Sequence, residues 1–272
     1  MPNKYLMRDD APIEHAVWEA LDHAMVHVAR SQLAGRRLLS IRGPYGLGLK
    51  AVPLGDREGE AGLIYSPVVP LHYIHRTFSV GARDLASHER EGTPLDTSAV
   101  AKVAMEVARA EDELLFHGAP NTPGLLNLNG AQHVQLSNWD QLGTAANDII
   151  RAVTTLDEAG FHGPYTLALS PGLYNLLLRR YPQGNTLEID HIRSMATDGV
   201  HKAPVLESGG VLVASGAQFA SIVLGQDMTI GFIGPADHEI EFSLSESLAL
   251  YVPVPQAICV LDAANGGGPQ GG

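Results

Sequence analysis

The sequence predicts an α+β fold organised around one long helix, with an extended β arm that needs a neighbour to be stable. Three observations point to it. From Val100 to Leu115 apolar residues recur at helical spacing without a glycine or proline. From Gly43 to Val80, ten glycines and prolines punctuate short extended runs. From Val205 onward the pattern is made of short β runs.

Composition bounds the rest. The chain has 272 residues, 45% hydrophobic and 18% charged, room for one large domain or two modest ones. A net charge of −12 disfavours phosphate backbones, so no nucleic-acid partner is expected. Cys259, the single cysteine, sits in the apolar run 257–261 and reads as a small buried hydrophobe in a chain suited to a reducing cytoplasm. The start MPNKYLMRDDAP lacks a signal-like apolar stretch, and no run approaches the ~20 apolar residues of a bilayer span, so no membrane partner is expected.

Each element has its own reason. Asp9, Asp10 and Pro12 suit a helix start, and Ile13, Val17, Leu21, Met25 and Val28 form one face up to a stop at Ala34-Gly35. Arg36 and Arg37 follow, then a short strand from Leu38 to Ile41. In the arm, the strands are 47–54, 63–65 and 68–73. With so few core candidates this segment is marginal alone, as isolated hairpins are. The long helix starts at a Thr97 or Ser98 cap and ends at Phe116, before Gly118 and Pro120; its ~19 residues extend near 30 Å. Helices are also expected over 139–159 after an Asn138 cap, from Ser170-Pro171 to about Arg180, and over 187–195. Strands are expected at 165–169, 211–214, 222–224, 228–233, 239–244, 248–254 and 258–261. The Gly-rich stretch 265–272 reads as a flexible tail.

The chemistry-bearing residues form no catalytic set. His23 and His27 are four apart on the first helix, with Glu19 and Asp22 near, but Ala24 stands where a metalloprotease motif has glutamate. They read as solvent- or interface-facing, with a metal site as the alternative. His72 and His75 fall on opposite faces of a strand. Glu111-Asp112-Glu113 points in three directions around a helix and reads as a solvated or interface face. There is no pair of Glu-x-x-His motifs on two helices, no P-loop, no Gly-x-Ser-x-Gly elbow and no paired CxxC. No catalytic residue, metal ligand or cofactor-binding residue is assigned.

Six blocks, in order, resemble encapsulins. They are Asp10-Ala11-Pro12-Ile13 with Trp18; Gln32 to Arg37 followed by Arg42-Gly43-Pro44-Tyr45-Gly46; Val107 to Gly118; Gly163 to Leu167; Leu224 to Gly231; and Ser245-Glu246-Ser247-Leu248. The resemblance covers residues 10–262 and implies the HK97 phage-capsid-like fold. It divides the chain into an N-terminal helix and start of the peripheral domain (1–42), an E-loop (43–80), the peripheral domain with the spine helix (81–135), an axial domain (136–234), a return to the peripheral domain (235–264) and a tail (265–272). It implies a shell subunit, not an enzyme, that self-assembles into an icosahedral nanocompartment of sixty copies in the cytoplasm. The cargo would be a ferritin-like or dye-decolourising peroxidase enzyme, entering through a short C-terminal peptide, with roles in iron storage or oxidative stress.

By position, the resemblance places cargo contact at Arg36 and at Ser40, which stands where some members have aspartate. Leu33, Leu38 and Ile230 would form the apolar part of the groove. An arginine after a helix end also serves as a surface charge or a partner for terminal carbonyls. The pore would be lined by Gln183, Gly184, Asn185 and Thr186, a composition that an ordinary surface turn shares. Arg83 stands nearest the tryptophan on which some members stack a flavin, so no flavin is implied by that route. A phage or prophage major capsid protein of the same fold is the alternative, and a bacteriocin or protease the third.

Overall fold

The computed structural model describes residues 4–182 and 184–263. The flexible-tail expectation for 265–272 lies outside these residues.

In chain order the described elements are α1 (His15–Gln32), α2 (Gly35–Leu38), β1 (Ser40–Arg42), β2 (Ala51–Pro53), β3 (Arg57–Glu58), β4 (Ile64–Tyr65), β5 (Val68–Pro70) and β6 (His72–Gly81). Then come α3 (Ala82–Glu91), α4 (Ser98–Phe116), β7 (Gly118–Ala119), β8 (Thr122–Pro123), β9 (Gln132–Gln135), α5 (Thr144–Glu158), β10 (Tyr165–Leu169), α6 (Pro171–Leu176) and α7 (Glu188–Met195). The chain ends through β11 (Gly199–Lys202), β12 (Gly210–Ala214), β13 (Ser221–Ala236), β14 (Glu239–Tyr251) and β15 (Ile258–Asp262). The mixture of helix and sheet, the 19-residue α4 and the arm are as expected. None of the described helices is long and apolar enough to cross a membrane.

The backbone divides into two compact units, one of residues up to 33, 42–111 and 223–249, the other of 34–41, 112–222 and 250 onward.

In the first unit β14 lies between β13 and β6. The β14–β6 ladder runs from Glu239 opposite Gly81 to Leu248 opposite His72. Phe242 stacks on Phe78 at 5.3 Å and meets the edge of Trp18 of α1 at 5.6 Å. Val17, Leu21 and Met25 of α1 and Val100, Val103, Ala104 and Val107 of α4 complete this core. The N-terminal segment is tied down by Arg8, which packs over the Trp18 ring at 4.0 Å and makes a bidentate pair with Asp22. α1 begins at His15 rather than at Pro12, and a 3₁₀ turn over Arg8–Asp10 precedes it.

The second unit has a five-stranded sheet in the order β11-β10-β12-β15-β9, with the central strand β12 antiparallel to both neighbours. All five residues of β10 are buried, the polar Thr166 among them. Helices α5 and α7 supply Ile149, Ala152, Leu156, Ile189 and Ile192 to the core.

Several expectations are corrected. Gly35 opens α2 instead of terminating α1. Its N–H and that of Ala34 donate to the Asp112 carboxylate at 2.9 and 2.8 Å, and a Cβ on Gly35 would stand 2.4 Å from Leu115 Cδ1. Asp112 and Glu111 are therefore buried, not solvated. Asn138 caps a turn by accepting the Asp140 N–H, and α5 begins only after Gly143, whose φ of +91° is left-handed. The six-residue α6 stops short of Arg180. Residues 222–233 and 239–254 hold two long strands instead of four short ones. Among the elements not anticipated are α3, which buries only Leu85 and ends at left-handed Gly92, the polar strand β9, and β11.

Asp148 of α5 organises the second unit. Its carboxylate accepts from the Trp139 indole at 2.9 Å, from the Ser137 N–H and hydroxyl at 2.7 and 2.8 Å, and from Arg151. Burial pushes this carboxyl up, but the hydrogen bonds outweigh it and hold it below the usual aspartate range. The stabilisation is complete above the ordinary aspartate pKa and is lost as pH falls through the lowered folded value. Asp148→Ala leaves buried donors without an acceptor and should cost roughly 2–4 kcal/mol at neutral pH, a gap that denaturant unfolding should show closing toward pH 2.

Candidate functional site

The arm leaves the first unit at Gly43, whose φ is +112° and whose missing Cβ would stand 2.5 Å from the Leu224 carbonyl oxygen. Only glycine fits that approach. Tyr45 then donates its N–H to the same carbonyl at 3.0 Å. Within the arm, β2 pairs with β5 and β3 with β4, and the Leu54 N–H donates to Pro67 at 2.8 Å. None of residues 40–77 is buried. Leu63 and Ile64 at the tip are 69% and 68% exposed, and Tyr65 and Val68 are exposed beside them.

An open groove of about 620 Å³ lies in the same unit, walled by Tyr5, Leu6, Pro44, Tyr45, Gly46, Leu47 and Gly48 and floored by Gly225, Gln226, Asp227 and Thr229. The strand alternation of β13 turns Met228 and Ile230 inward and Asp227 and Thr229 outward. Ile230 is 0% and Leu33 5% exposed, both in the core of the first unit, and Leu38 is 4% exposed in the second. Leu33, Leu38 and Ile230 are thus packed inside the subunit, while Tyr5 and Tyr45 of the groove are exposed.

Arg36 is half-buried and Ser40 exposed. A smaller cavity of about 220 Å³ in the second unit is lined by Arg37, Leu38, Leu39 and Ser40 on one side and by Thr166, Asp198 and Ser215 among others on the opposite side. The structure thus brings Leu38 and Ser40 together, with Arg37 rather than Arg36. Burial, and then the Arg37 charge, lower the pKa of His201 in this unit.

The loop expected at the pore leaves the end of α6 and returns at α7. Its base is fixed by Glu188, fully buried, which accepts from Arg179 at 2.9 Å and from the Gly143 N–H at 2.8 Å. Tyr181 donates its N–H to Thr186 at 3.1 Å, and Arg180 donates to Asn185. Gly184, Asn185 and Thr186 are exposed, and Gln183 lies outside the described residues.

No group of three or more His, Cys, Asp or Glu side chains able to hold a metal occurs among the described residues. Cys259 is fully buried, and burial followed by Asp262 pushes its thiol up to about 12, so it is no nucleophile. The polar clusters serve backbone and loop anchoring, while the exposed apolar surface concentrates on the arm.

The Linocin_M18 family model, described as "Encapsulating protein for peroxidase", matches residues 3–249. The chain belongs to the encapsulin shell-protein family. It is 33% identical to the type 1 encapsulin shell protein EncA of Myxococcus xanthus (strain DK1622), over 97% of this chain and 98% of that one. It is 31% identical to a diheme-cytochrome-encapsulin shell fusion protein of Kuenenia stuttgartiensis, over 90% of this chain and 72% of the relative. In structure it is similar to the virus-like particle from Pyrococcus furiosus, with a TM-score of 0.73 at 22% identity, over 90% of this chain and 99% of that one. The encapsulin fold is of the HK97 type, which phage capsids share. This encapsulin is thus a shell subunit whose extended arm is the one recognised in the sequence.

Gly43→Ala places a methyl group against the Leu224 carbonyl at a left-handed φ. It should lower the unfolding free energy by about 1–3 kcal/mol, and Gly48→Ala, where a Cβ meets nothing within 4 Å, serves as the control in the same denaturation series.

Proposed function

We propose that this encapsulin subunit closes into a sixty-copy icosahedral shell in the cytoplasm and encloses a cargo enzyme of the peroxidase or ferritin-like type. The observation that carries the reading is the arm, with no buried residue between 40 and 77 and apolar side chains at its tip. A segment of that kind gains its apolar burial only against other copies. The sixty-copy count and the cytoplasm come from the family resemblance. The cargo class is supported by the family description, which names a peroxidase. A ferritin-like-encapsulin shell fusion protein also occurs among the relatives.

Cargo would enter with assembly, through a short C-terminal peptide held on the subunit. The groove between Tyr5, Tyr45 and Thr229 offers such a peptide aromatic walls and a glycine-rich backbone open to hydrogen bonding. Arg36 and Ser40 remain a second contact in this proposal. Substrates of the enclosed enzyme would pass the exposed polar loop 184–186. The shell itself carries out no chemistry, and a net charge of −12 disfavours nucleic acid as content.

Leu63→Asp with Ile64→Asp tests the central claim. Electron microscopy and sedimentation of the unaltered chain should show closed particles of sixty subunits. The double variant should lose them by tenfold or more while its far-UV circular dichroism is unchanged. Particles from the variant equal in yield to the unaltered ones would refute the arm's role. Packaged DNA in particles purified without nuclease would favour the phage-capsid alternative.

A further inference from the structure

The one histidine pair that neither core nor arm explains lies on α1. His23 and His27 are both exposed and sit one helical turn apart in the middle of an 18-residue helix. Their rings are near-parallel, 23° between planes, with centroids 6.3 Å apart. The structure gives their ring nitrogens no hydrogen bond or ion pair among the described residues. The neighbouring histidine on the same stripe is different: His15 Nε2 is engaged with Glu19 at 3.2 Å. Asp22, the adjacent carboxylate, is taken up by Arg8 at 2.7 Å. Two imidazoles are thus left free side by side, on rigid helical spacing, in a chain of net charge −12 that attracts cations.

We infer that His23 and His27 form a two-point binding site for a divalent transition-metal ion of the imidazole-preferring class, such as Ni²⁺, Zn²⁺ or Cu²⁺. Imidazole nitrogens bind such ions at about 2.0–2.1 Å, which brings the centres of two rings on one ion to roughly 5 Å apart. Exposed histidine rings one turn apart reach that separation through side-chain rotation, with no change in the helix. No third His, Cys, Asp or Glu completes a closed set among the described residues. Water fills the remaining positions, so the ion is held exchangeably. The pair collects metal ions rather than storing one permanently. This inference stands on α1 alone and does not depend on the identity of the cargo.

The test uses the full chain, untagged, as purified, and Ni²⁺ alone as the probe in isothermal titration. The unaltered protein should bind one Ni²⁺ per subunit. His23→Ala and His27→Ala should each weaken binding by tenfold or more. The double variant should be no weaker than either single one, because one imidazole left alone no longer chelates. His15→Ala should leave the affinity within twofold. All three positions are exposed on a helix, where alanine is well tolerated, and circular dichroism verifies that the variants fold. Equal affinity in the unaltered protein and His27→Ala, or an equal loss on His15→Ala, would overturn the assignment.

Discussion

Residues 40–77 bury no side chain within the subunit, and the rest of the molecule is arranged around that deficit. Ordering a backbone costs about 1–2 kcal/mol per residue before any side chain is counted. Within the chain this is offset by two short ladders, by the pairing of residues 72–77 with β14, and by the contacts at Gly43 and Tyr45. Its apolar residues Leu63, Ile64, Tyr65 and Val68 stand in solvent. A shell subunit can carry such a segment because assembly supplies the missing burial. In an isolated monomer the same surface would be an aggregation hazard.

The anchoring of the arm and loops shows where the sequence invests its buried polar groups. Asp112 holds the first N–H groups of α2, Asp148 gathers an indole, a serine and an arginine, and Glu188 ties α6 to the start of α5. Each carboxylate accepts several hydrogen bonds, which is the condition under which a charge is tolerated in a core. These anchored bases carry the exposed apolar arm end and the exposed residues 184–186.

Much of this was readable from residues. The spine helix was marked by an unbroken 3.6-residue period and a Gly-Pro stop, and β10 by an apolar run too short for a helix. The arm was marked by what it lacks, a core. What escaped depended on long-range partners. Gly35 looked like a helix stop because its use, close approach to Leu115 and donation to Asp112, involves residues almost eighty positions away. Glu111 and Asp112 looked solvated for the same reason. α3 buries one residue and has no apolar stripe to detect, and β9 pairs with the distant β15. At the groove, Ile230 of β13 faces the core while Asp227 and Thr229 face out.

The burial of Cys259 has a practical side. The only thiol in the sequence is sealed within β15, fully covered and ionised only at strongly alkaline pH. Thiol reagents act on the exposed thiolate, so the folded protein is chemically silent toward them. A cysteine introduced at an exposed position such as the 184–186 loop would then be the single reactive handle per subunit. Particles could be decorated at one defined point on every copy without first removing a native residue.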